Sequence, residues 1–175
     1  MNATVLSCRG CTPRIHESCW LAPNATVVGD VELGEESTVW FGAVIRGDVA
    51  PIRIGPKVNI QDAAVIHGTF EQSETHIEAG ASIGHGAIVH GAHIGAGALV
   101  GMGAVVLDGA RIGAGAVVAA GAVVLADTSV PPGTLWAGVP AKQVGAVKPE
   151  LAVKLAATAD RYVAYAAWFS TASPP

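Results

Sequence analysis

Aliphatic residues recur along this chain at every sixth position. Leu21, Val27, Leu33, Val39 and Ile45 set the register. After a three-residue insertion it resumes at Ile54, Ile60 and Ile66, and after a longer one at Ile77, Ile83 and Val89. One step of five follows, and the register then runs through Ile94, Val100, Val106, Ile112, Val118, Val124 and Val130. Glycine often follows the aliphatic residue, as in "IGHGAI" and "IGAGAL". A period of six fits neither the α-helix at 3.6 nor the plain strand at 2. It fits an all-β solenoid in which each hexad is one short strand and a turn, and three hexads close a triangular coil. The aliphatic side chain then points into the prism. Small residues make the corners, where φ can be positive. Successive coils pair edge to edge, about 4.8 Å apart.

Beyond "PAKQVGAVKPE" the spacing changes. From Pro149 to Ser170, Leu151, Leu155, Tyr162, Ala166 and Phe169 recur at helical intervals, and Pro149 suits a first helical turn. One amphipathic C-terminal helix is expected, its aromatics packed along the prism, followed by a frayed tail "STASPP". The expected division is a β-helix domain over 1–147, with its repeat core at about 21–141. Residues 148–175 form a helix and tail packed on the same domain.

Composition adjusts this picture in few places. The mean hydropathy of +0.47 raises the question of a membrane span. The uncharged run Ile112–Ala126 falls short of the roughly 20 residues a spanning helix needs, and glycine interrupts it regularly. No basic segment precedes an apolar core at the N-terminus, so a cytoplasmic protein is expected. The net charge is -4 with no basic run, which argues against nucleic acid or a membrane surface as partner. Cys8, Cys11 and Cys19, with His16, spell C-x2-C-x4-H-x2-C, near a zinc-knuckle spacing but with a short last gap. We read these cysteines instead as small, partly buried apolar residues.

The histidines change the picture most. His67 directly follows Ile66 and His90 directly follows Val89, so both hold the same position on the same face, one coil apart. Side chains so stacked can share a metal, because the backbones lie about 4.8 Å apart and Zn–N bonds are about 2.0–2.1 Å. His85 comes two residues after Ile83, at a different corner. In a three-fold trimer of prisms, His85 of a neighbour would complete a three-histidine set. Three neutral imidazoles and an open fourth position are the ligands of a catalytic zinc, which makes a hydroxide nucleophile near pH 7. His76 and His93 are read as unligated.

Three stretches, "VWFGAVIRGD" at Val39–Asp48, "NIQD" at Asn59–Asp62 and "VGMGAVVLDGA" at Val100–Ala110, accompany the three histidines. Together they resemble the γ-class carbonic anhydrases and their close homologues. The resemblance implies a left-handed parallel β-helix and a homotrimer. It also implies a metal at each interface, usually zinc, with iron and cobalt as alternatives, held by His67, His85 and His90. It assigns Arg46, Asp48 and Asp62 to interface pairing, and Asn59 and Gln61 to the lining of the site. Gln61 would orient the hydroxide that attacks carbon dioxide, and Arg46 would anchor bicarbonate or lock the trimer.

Two positions depart from the family pattern: Val49 and Phe70 stand where the archetypal enzymes have glutamates, the second a proton shuttle. Glu71 and Glu74 are the nearby shuttle candidates. Two other functions compete. "AGVPAK" at Ala137–Lys142 is shared with hexapeptide-repeat acyl-CoA acyltransferases, which use one histidine as general base. A catalytically weak, metal-stabilised trimeric scaffold fits the loss of both glutamates.

Overall fold

The computed structural model describes residues 3–170. The expected tail "STASPP" lies outside them except for its first residue, Ser170. The chain winds into a parallel β-solenoid of about seven coils, the left-handed β-helix of the hexapeptide-repeat proteins. Most strands are two or three residues long, each paired in parallel with the strand one coil away.

Inward-pointing residues stack in three columns, one per face. On the first face Val27, Ile45, Ile66, Val89, Val106 and Val124 align, and on the second Leu33, Ile54, Ile77, Ile94, Ile112 and Val130. On the third, Leu21, Val39, Ile60, Ile83, Val100 and Val118 continue to Trp136. All the aliphatic members except Leu21 are buried. This is the register the hexads predict, and it is what holds the prism together. Each buried isoleucine or valine contributes about 1.5–3 kcal/mol over leaving it in water. Corners turn on small residues, as at Gly86, whose φ of 65° suits a residue without Cβ.

All three large excursions leave from one corner, between the first and second faces. Thr4–Leu6 pairs with the first face and Arg14–Ile15 with the second, so the segment between them juts out there. The three-residue insertion does the same. Strand Val44–Ile54 serves both faces, and its register against Thr26–Leu33 shifts between Gly29 and Val31. The longer insertion joins Val65–His67 on the first face to Thr75–Ile77 on the second.

Two features depart from the sequence expectation. Thr134–Gly138 is followed by a reversal, and Ala141–Ala146 pairs with it antiparallel, closing the sheet of the third face. The hexad count holds no signal for that turn. The helical segment is also interrupted, into α1 (Pro149–Ala156) and α2 (Thr158–Ser170). Two carbonyls at the break take side-chain donors. Thr158 Oγ1 donates to the Lys154 carbonyl at 3.0 Å, and Arg161 donates to the carbonyls of Lys154 and Ala157 at 2.6 and 3.2 Å. Such side-chain bonds weaken a helical ladder locally.

α2 lies against the third face through aromatic contacts. The rings of Trp40 and Tyr162 are 5.2 Å apart, and those of Trp20 and Phe169 5.3 Å. Lys57 and Asp160 add an exposed ion pair at 2.9 Å. Among the described residues no helix is long and apolar enough to cross a membrane.

Candidate metal centre

The predicted residues fall into two groups at two corners, separated by the width of the first face. The first group is at the corner of the excursions. His67 and His90 end paired strands in direct register, and their rings meet with Nδ1 of His67 3.1 Å from Nε2 of His90. Two nitrogens bound to one tetrahedral metal at 2.0–2.1 Å lie about 3.3 Å apart. The pair therefore fits one edge of a metal's coordination shell with a shift of a few tenths of an ångström.

The outer nitrogens of both rings are held by carboxylates. Nε2 of His67 is 3.0 Å from Asp48 Oδ1, and Nδ1 of His90 is 2.9 Å from Asp108 Oδ2. Asp48 also receives Arg46 Nη1 at 2.5 Å. Burial alone pushes the Asp48 carboxyl up, but the hydrogen bonds from Arg46 and His67 outweigh it and hold it below the usual range. For Asp108, too, burial is outweighed, here by hydrogen bonds from Ser73, Thr69 and His90. Ser73 and Thr69 belong to the longer excursion, so Asp108 ties that loop to His90. Both aspartates stay ionised and both can fix the tautomer of the histidine they hold.

The second group is at the corner between the third and first faces. His85 Nδ1 is 2.8 Å from Asp62 Oδ2, and nearly half of the His85 side chain is exposed. Beside it runs a buried hydrogen-bond chain. Gln61 Nε2 donates to Asn59 Oδ1 at 2.9 Å, and Asn59 Nδ2 donates to Ser82 Oγ at 2.8 Å. The chain exists because Asn59 and Ser82 are register partners on neighbouring coils.

The remaining candidates stand apart. Glu74 accepts from His76 Nε2 at 3.1 Å, beside the second face. Glu71, exposed, sits at the tip of the excursion with φ of 53°. Phe70, also exposed, carries the Arg9 guanidinium over its ring at 5.0 Å. His76 and His93 repeat the stacked register, yet each turns to a glutamate, His93 Nε2 lying 2.8 Å from Glu78 Oε1. The knuckle-spaced residues do not gather. The Cys19 thiol donates to the Gly34 carbonyl at 3.0 Å, and His16 Nδ1 meets Ser18 Oγ at 2.8 Å. The reading of the cysteines as partly buried holds for Cys8 and Cys19 but not for Cys11, which is exposed in a hairpin. Among the described residues no three of the His, Cys, Asp and Glu side chains converge as a metal needs.

Sequence reasoning missed Asp108, Thr69 and Ser73. Asp108 sits in the quoted "VGMGAVVLDGA", where Asp-Gly reads as a turn. Only its place one coil from His90 marks it as a partner.

Comparison with known proteins places the chain. The family model described as "Bacterial transferase hexapeptide (six repeats)" matches residues 12–47 and 91–126. A probable carbonic anhydrase of Methanocaldococcus jannaschii is 48% identical over 149 residues, covering 85% of this chain and 93% of that protein. The mitochondrial gamma carbonic anhydrase 2 of Arabidopsis thaliana is 36% identical over 157 residues, covering 87% of this chain. The chain spans only 56% of that relative's length. The crystal structure of a putative acetyltransferase from Bacillus cereus superposes with a TM-score of 0.93 at 38% identity, covering 97% of this chain and 98% of that one.

Proposed function

The chain belongs to the γ-class carbonic anhydrase-like family of hexapeptide-repeat proteins, and from that premise we propose that it hydrates carbon dioxide reversibly at a metal shared between subunits of a homotrimer. The observation that carries this is the pair of ring nitrogens, His67 Nδ1 and His90 Nε2, 3.1 Å apart, with the third histidine at the opposite end of the same face. One subunit offers two ligands at one corner and one at another. A ring of three, packed corner to corner around their first faces, completes three sites. His67 and His90 of one subunit and His85 of the next would hold the metal, zinc by the donor set. When bound, the metal supplies Lewis acidity that brings the pKa of water down towards 7.

The protein's own side chains do the rest. Asp48, Asp108 and Asp62 each accept from the outer nitrogen of one histidine, which aims the other nitrogen at the site. Asn59 and Ser82 fix the Gln61 amide, so that Gln61 orients the attacking water without reorganising. Arg46 is held by Asp48 while nearly half its side chain stays exposed, leaving donors for bicarbonate. Phe70 cannot take a proton, and Glu74 is engaged with His76, so proton export falls to Glu71 and to buffer. Slow turnover follows from that.

The test is metal content per subunit of anaerobically purified protein, with stopped-flow hydration beside His85→Ala. Near one metal per subunit, with hydration lost in the variant, supports the proposal. Metal without hydration removes the enzyme and leaves a metal-stabilised scaffold. Acyl transfer is the second reading, favoured by the description of the B. cereus structure. A thermal shift with coenzyme A and no metal would put it first.

A further inference from the structure

We propose that Cys8 and Cys11 are a redox pair whose disulfide fastens the N-terminal hairpin over the loop that holds the candidate centre. The hairpin sets the two cysteines opposite each other. Cys8 and Cys11 face each other as an antiparallel bridge, each amide donating to the other's carbonyl at 2.9 Å. Arg9 and Gly10 between them have φ of 50° and 79°, the two positive values of a tight hairpin turn. In such a hydrogen-bonded pair the Cα atoms are about 5.5 Å apart, inside the window of about 4.4–6.8 Å that disulfides span, while the Cβ atoms, at up to about 5.5 Å, must close by about 1 Å to reach the roughly 3.5–4.5 Å of the bond. Opposed residues also project to the same side of the ribbon. The next pair out shows it, since Ser7 Oγ and Thr12 Oγ1 meet at 2.7 Å. Cys8 is half-buried and Cys11 exposed, and both are free thiols here. The third cysteine cannot compete, because Cys19 is partly buried with its thiol bonded to the Gly34 carbonyl.

The hairpin's position gives the bond a consequence. It leaves the prism at the same corner as the loop between His67 and Thr75, and Arg9 of the turn lies over Phe70 of that loop. Thr69 and Ser73 of the loop bond Asp108, which holds His90. The thiols therefore flank Arg9, which lies over the loop at Phe70. A low-molecular-weight disulfide such as oxidised glutathione is the oxidant. The Cys11 thiolate attacks it and releases one thiol. The Cys8 thiolate then attacks the mixed disulfide and releases the second. Two protons leave the protein, one Sγ–Sγ bond forms, and the oxidant takes up the two electrons.

The experiment equilibrates the full chain in glutathione buffers of stepped potential, then alkylates it under denaturing conditions and weighs it. Reduced protein takes three alkyl groups, one per cysteine. The expected oxidised form takes one, on Cys19, and lacks two hydrogens. Backbone hydrogen exchange of residues 69–73 is measured alongside. It is expected to slow on oxidation of the wild type, but not of Cys11→Ser or Cys8→Ser, and not of Arg9→Ala, whose disulfide still forms. Persistent glutathione adducts, intermolecular dimers or three free thiols at every potential would overturn the redox pair. A disulfide that leaves exchange at residues 69–73 unchanged would overturn the clasp.

Discussion

Subunits lacking different histidines should repair one another. His85→Ala removes the ligand of one corner, and His90→Ala breaks the 3.1 Å pair at the other. In the proposed ring, where the first face separates the corners, a working site takes its pair from one subunit and His85 from the next. Neither variant alone builds any complete site. In a randomly mixed trimer, every interface running from a His85→Ala subunit to a His90→Ala subunit has all three ligands. Trimers of mixed composition contain one such interface each. At equal co-expression they make up about three quarters of the population, so about one quarter of the wild-type sites are restored. Differently tagged subunits are co-expressed, mixed trimers are isolated, and metal per subunit and hydration rate are measured against both parents. Both readouts should rise together. Metal content no higher than the mean of the two parents would refute a site shared between subunits and, with it, the corner-to-corner ring.

Other consequences are open to measurement. Asp108→Asn loses the carboxylate on His90 Nδ1, and metal affinity should fall about 10–100-fold in a chelator competition while circular dichroism stays unchanged. Ile83→Ala opens a cavity in the third-face column between Ile60 and Val100, and denaturant titration should register a loss of about 2–5 kcal/mol. Asp30 accepts from Arg53, which holds its carboxyl below the ordinary 3.8. A lowered folded-state value stabilises the protein above that pH and stops doing so as pH falls through the folded value. Asp30→Asn should therefore melt earlier than wild type at pH 7, with the gap closing below about pH 3.8. An unchanged gap at pH 3 would exclude that ion pair as the cause.

The coil register was legible in the sequence because each hexad sends one large aliphatic side chain into the interior, preceded two places earlier by a buried residue that is mostly alanine. Ile54, Ile60 and Ile66 therefore predict their partners Ile77, Ile83 and Val89 however long the chain wanders between coils. The same arithmetic stacked His67 on His90. What spacing could not show is where the excursions fold back. The insertion after Ile45 was countable, but that it brings Asp48 to His67 depends on the bulged register at Gly29 and Val31. Asp108 reads as a turn residue until the loop containing Thr69 and Ser73 is laid over it. The four residues Cys-Arg-Gly-Cys suggested half a zinc motif, whereas positive φ at Arg9 and Gly10 makes them a hairpin. The interruption at Ala157 coincides with the Thr158 and Arg161 side-chain bonds to the Lys154 carbonyl, and no helix breaker marks it.

The antiparallel strand Ala141–Ala146 has a consequence for the molecule's life in a crowded solution. A parallel solenoid has no natural end: each coil is a template for the next, and a bare last coil is a growing tip onto which another chain can add. By running backwards along Thr134–Gly138, the final strand occupies that edge of the third face with the wrong polarity for continuation. Its exposed residues Lys142, Gln143 and Val144 offer no inward column to extend. That face of the prism is thereby closed to a further parallel strand instead of serving as a template for one.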